Sequence, residues 1–93
     1  MTLLLKDPAA LLDYAVDWGA DYLNEDEIVT STWSVEPDEP GGLAVISSEF
    51  GLLGTSVKVG GGVVGRLYRL ANHVRFVTQR EDTRSILLRV EDR

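Results

Sequence analysis

The chain contains no cysteine, so it needs no oxidising compartment for stability and offers no Cys-based metal site. No apolar run approaches the roughly 20 residues that a membrane-spanning helix requires. The N-terminal Thr2-Leu3-Leu4-Leu5 is cut short by Lys6-Asp7-Pro8, so no signal-peptide core is expected. Basic residues are scarce early in the chain: residues 1–65 hold only Lys6 and Lys58 against eleven acids. With a formal net charge of −6, a nucleic-acid partner is not expected, because phosphate contacts need clustered Lys and Arg. Synthesis in a cytoplasm, with no membrane and no nucleic acid as partner, is the expectation.

What is present fits one folded unit. Ninety-three residues, 44% hydrophobic and 26% charged, suit a single globular domain over residues 1–93 near the usual size of an immunoglobulin-type sandwich. The charge is unevenly spread. Residues 66–93 carry Arg66, Arg69, Arg75, Arg80, Arg84, Arg89 and Arg93 against four acids, reversing the sign of the preceding segment. Either these are ordinary solvated faces, or the molecule has unlike surfaces suited to a partner.

The apolar pattern has a period of two. Leu12, Tyr14, Val16 and Trp18 alternate with Asp13, Ala15 and Asp17, and a helix would stack the two aspartates four apart. A strand with Asp13 and Asp17 facing water is therefore expected. Ile28 to Val35 reads as a β-branched strand with Val29, Trp33 and Val35 on one face. Glu36-Pro37-Asp38-Glu39-Pro40-Gly41-Gly42 interrupts it. Strands follow over Leu43 to Ser48, Thr55 to Val59, Tyr68 to Phe76 and Ser85 to Val90. With a short N-terminal edge strand, about seven strands emerge, spaced as in an all-β, immunoglobulin-like antiparallel sandwich.

One segment points to a particular corner of such a sandwich. After Gly60-Gly61-Gly62, the strand positions Tyr68, Leu70, Asn72, Val74 and Phe76 share a face. A tyrosine at the start of a strand following a Gly-rich crossover is the pattern of a tyrosine corner, whose hydroxyl bonds nearby backbone. Trp33 is expected between the sheets, near Tyr14, and Asn72 must find partners for its amide inside.

Chemistry is poorly represented. His73 has no Ser, Asp or Cys at a triad spacing, and Arg69 and Arg75 nearby would oppose its charged form. The acidic run Asp21 to Glu27 lacks the alternating acids and distal Glu of a calcium loop, so it reads as a solvated turn. Gly60 to Gly65 lacks the Lys-Ser/Thr and the helix of a phosphate loop. No catalytic, cofactor-binding or metal-binding residues are expected, and the chain is not read as an enzyme.

The motifs together resemble a known family. Lys6-Asp7-Pro8, Leu12-Asp13-Tyr14 and Asp17-Trp18 resemble the opening of the phage fiber-tail adaptor proteins, small proteins of tailed phages and prophages. Ser31-Thr32-Trp33 resembles their central strand, and Tyr68-Arg69 with Asn72 their penultimate one. Arg80-Glu81-Asp82, Arg84-Ser85-Ile86 and Leu88-Arg89-Val90 resemble their ending. Glu36 to Gly54 departs from the pattern, being longer and richer in Pro and Gly. The resemblance implies an immunoglobulin-like sandwich that serves, without catalysis, as a virion component contacting other tail or connector proteins. Its synthesis would be in the bacterial host cytoplasm. Strand phase adds an expectation: Asp13 and Asp17 outward on one sheet, with Arg69, Arg75 and Arg89 outward on the other. Opposite charge on opposite faces suits head-to-tail contact and a homo-oligomeric ring. The rival, a carbohydrate- or surface-binding module, would need exposed aromatics on a rigid face.

Overall fold

The computed structural model describes residues 2–20 and 26–92. They form seven strands: β1 (Thr2–Lys6), β2 (Leu12–Asp17), β3 (Ile28–Glu36), β4 (Leu43–Phe50), β5 (Gly54–Gly61), β6 (Leu67–Phe76) and β7 (Glu81–Val90). A single 3-10 turn, Trp18–Ala20, follows β2, and there is no α-helix among the described residues. The strands make two sheets, β1-β7-β6-β3 and β2-β5-β4, packed as a sandwich. Placing β2, β5 and β4 opposite β3, β6 and β7 is the immunoglobulin-like arrangement.

The edge strand departs from expectation. An antiparallel sandwich is expected, but β1 pairs with β7 in parallel, with Leu3 beside Leu87 and Leu5 beside Arg89. The four-stranded sheet is therefore mixed rather than wholly antiparallel. The turn after β1 explains the crossing. Asp7 closes it by accepting hydrogen bonds at its carboxylate from the Ala9 N–H and at its carbonyl from the Ala10 N–H. The chain then enters β2 on the other sheet.

The core follows the alternation. On β6, Tyr68, Leu70, Asn72, Val74 and Phe76 are all buried, and β5 contributes Val57 and Val59, and β7 Ile86, Leu88 and Val90. Burying each such apolar side chain contributes about 1.5–3 kcal/mol. Val29 is an exception. It was expected inward with Trp33, but a register shift between Ile28 and Thr30 turns Ile28 into the core and leaves Val29 exposed. The tryptophans also exchange importance. Trp18 is fully buried against Phe76, whereas Trp33 is half-buried, edge-on to Tyr14 at 6.4 Å, and its Nε1 finds no hydrogen-bond partner among the described residues.

Two polar groups hold the sandwich at different levels. At the crossover, the buried Tyr68 hydroxyl accepts from the Val63 N–H at 2.9 Å and donates to Glu39 at 2.7 Å. The Glu39 carboxylate also meets Arg66 at 3.2 Å, so the corner pins the Pro- and Gly-rich β3–β4 loop as well. Gly61 and Gly62 make that corner possible. Both have positive φ, and a Cβ on Gly62 would lie 2.5 Å from Val90. Lys6 is buried beneath, donating to the carbonyls of Asp7 and Gly61, and its burial pushes the ammonium pKa below the ordinary lysine value against the opposing pull of Asp7.

Mid-sandwich, Asn72 makes four hydrogen bonds. Its Oδ1 accepts from Trp18 Nε1 at 3.0 Å and from the Thr55 hydroxyl at 2.7 Å. Its Nδ2 donates to Ser31 Oγ at 2.9 Å and to the Thr32 carbonyl at 3.0 Å. Asn72→Leu strands two buried donors and a backbone acceptor, and should cost about 2–4 kcal/mol in urea unfolding. A loss under 1 kcal/mol would show that the network is not integral to the fold.

At the far end, the buried Asp26 carboxylate holds the β6–β7 hairpin. It accepts from the Thr78 hydroxyl and Arg80 Nη2, each at 2.8 Å, and from the Glu27 and Thr78 N–H groups. Burial alone would raise its pKa, but the Arg80 and Thr78 bonds outweigh it and hold the carboxyl below its ordinary value. A carboxyl depressed in the folded state stabilises above its unfolded pKa and loses that contribution as pH falls through the folded one. Asp26→Asn should therefore lower the melting temperature at neutral pH and shrink the deficit relative to wild type at acid pH. An unchanged deficit down to pH 2.5 would contradict this.

Candidate assembly interface

The outward side chains of the four-stranded sheet form ordered rows. At the crossover end, Leu67 lies beside Arg89, which lies beside Leu5. The next row runs Glu36, Arg69, Leu87, Leu3 across all four strands. A shallow row of small residues follows, Ser34, Ala71 and Ser85. Then come Thr32, His73 and Thr83, and finally Thr30, Arg75 and Glu81. Arg69, Arg75 and Arg89 thus share one exposed face, with Arg89 also meeting Glu91 at 3.3 Å.

Leucines cluster at the crossover end of this face. Leu3, Leu5 and Leu67 are 54%, 43% and 45% exposed, with the half-buried Leu87 between them. Apolar side chains grouped in this way, interleaved with arginine, make a surface with the composition of an interface rather than of scattered exposure. Leu67 and Leu87 follow from strand phase. Leu3 and Leu5 do not, because their place depends on β1 joining β7. Their alternation with Leu4 and Lys6, one half-buried and the other buried, was the available signal.

The opposite face has a different character. Asp13 and Asp17 point outward from β2, Glu49 from β4, and Lys58 from β5 beside Asp13. Three acids face one lysine there, while three arginines face Glu36 and Glu81 on the other sheet. Tyr68 and Asn72 are interior, and Tyr14 and Trp33 are half-buried against each other. These four therefore build the scaffold and do not meet the charged residues in a common site.

His73 is exposed, its ring nitrogens 2.7 Å from the Thr83 hydroxyl and 2.8 Å from Glu81. Among the described residues no three His, Asp or Glu side chains converge as a metal site would require. Of the acidic run 21–27, residues 21–25 lie outside the described residues, and Asp26 is engaged by Thr78 and Arg80.

Comparison with known families supplies the setting. Residues 6–89 match the family model described as podophage GP4 fiber-tail adaptor protein gp77. The chain belongs to this adaptor family. It is a structural phage component, and membership implies association with other tail and fiber proteins in the virion. The matched region runs from Lys6 to Arg89 and so includes Glu36 to Gly54, the segment that departs from the expected pattern. No curated protein matches the chain.

Proposed function

We propose that the protein is a non-enzymatic adaptor that joins tail, connector or fiber parts through the outward face of its four-stranded sheet. The observation that carries this reading is the grouping of Leu3, Leu5, Leu67 and Leu87 with Arg69 and Arg89 on that one face. A buried apolar centre supplies affinity at protein interfaces, and interleaved arginines supply orientation and exclude wrong partners. The family match supports the virion setting, which entails synthesis in the host cytoplasm before assembly. Contacts between copies belong to the same reading. Arginines on one face and acids on the other favour head-to-tail association, which closes into a ring when the rotation between copies permits.

A carbohydrate-binding module would present rigid exposed aromatics. Phe50, 49% exposed at the end of β4, is the aromatic with the most exposed surface among the described residues, and one isolated ring is a poor sugar platform. The grouped leucines and arginines favour a protein partner instead.

Arg69→Glu with Arg75→Glu tests the proposal. Both side chains are exposed, so thermal unfolding should shift little. Incorporation into particles, read by quantitative blotting of purified virions, should be abolished. Normal incorporation of the double variant would overturn the assignment of this face.

A further inference from the structure

The face of the three-stranded sheet is hollow as well as acidic. Two open depressions lie along it and share Ala15, Ser56 and Glu49. The one nearer the crossover, about 360 Å³, is bordered by Asp13 and Lys58; the other, about 540 Å³, by Asp17, Phe50 and Leu53. Above them Leu11 and Ile46 stand over Gly60, where an added Cβ would lie 2.8 Å from Leu11, and both project into solvent, 62% and 58% exposed.

β2 on this face and β6 on the arginine face match position by position. β2 begins beside Val59 at the crossover and ends beside Gly54. β5 returns from Gly54 to the crossover, and β6 leaves it, so β2 and β6 run in the same direction. Read from the crossover, the outward residues along the first are Leu11, Asp13, Ala15 and Asp17. Along the second they are Leu67, Arg69, Ala71 and His73, with Arg75 beyond. Apolar meets apolar, acid meets base, small meets small, and acid meets imidazole. The spacing agrees because both series advance two residues at a time, at about 3.3 Å per residue.

We propose that the hollow face of one copy packs on the arginine face of a second copy, with β2 aligned along β6 in this register. The inference rests on the head-to-tail reading above and adds its partner surface and its alignment. Leu11 enters the leucine group formed by Leu3, Leu5 and Leu67. Arg69 reaches Asp13 across the contact. Ala15 meets the low row at Ala71, where two sheets can approach to the usual packing distance of about 10 Å. Arg75 extends into the near end of the larger depression, its charge toward Asp17 and its stem against Leu53. The contact is heterologous, so each copy offers one face of each kind and the series can continue.

The absence of native cysteine makes the register directly measurable. Ala15→Cys and Ala71→Cys are prepared as separate proteins, mixed at high concentration and mildly oxidised. A mixed disulfide dimer should form, while either protein alone should give little. Asp13→Arg in the Ala15→Cys protein should suppress the product, and Arg69→Asp in its Ala71→Cys partner should restore it. Absence of the mixed product, while both thiols still react with a small maleimide, overturns the inference, and so does equal coupling of like with like. Should cross-linking fail while the Arg69, Arg75 reversal still blocks incorporation into particles, the arginine face engages another tail protein. The adaptor reading then stands without this contact.

Discussion

Asn72 is the point on which the two sheets depend. Its amide spends both oxygen lone pairs and both N–H bonds inside the sandwich, on groups from the turn after β2, from β5 and from β3. An amide buried without those partners would cost more than it contributes, so the network works only as a complete set. Completed, it fixes how far β2 and β5 stand from β3 and β6. Apolar packing alone is less particular about such spacing, because it has no preferred direction. The Tyr68 corner and the Asp26 clamp then fasten the two ends, the first to the β3–β4 loop and the second to the β6–β7 hairpin.

A sandwich fixed in this way can give its outer faces to other purposes. The rows Glu36–Arg69–Leu87–Leu3 and Leu67–Arg89–Leu5 contribute nothing to the interior, yet strand register holds them in a rigid array. Rigidity matters for an adaptor, since ordering flexible side chains or loops at an interface costs free energy that association must offset. The fold alone does not specify this role, because sandwiches host many functions. The family places the chain among structural phage components, and the leucine and arginine rows support the joining role proposed for it.

Much of this was legible in the chain. The inward phase of β6, the outward phase of Asp13, Asp17, Arg69, Arg75 and Arg89, and the crossover before Tyr68 all follow from a period of two and a glycine cluster. Features set by distant pairing were not. β1 joins β7 in parallel across more than eighty residues, and nothing local in Thr2–Lys6 specifies that partner. Val29 is displaced by a bulge that only the β6 register reveals. Strand phase sets Trp18 inward with Tyr14 and Val16, but not that the 3-10 turn brings its ring under Arg84 and its Nε1 onto Asn72, which buries it more deeply than Trp33. Lys6 and Glu39 were missed for a related reason: each is buried or half-buried by a loop whose path is tertiary.

The proposed assembly requires that the outward face of β1, β7 and β6 be covered in the particle. Hydroxyl-radical footprinting read by mass spectrometry measures this side chain by side chain, on the free protein and on intact virions. Leu3, Leu5 and Leu67, open in the free protein, should become strongly protected in the virion. Equal labelling of these leucines in both states would contradict it.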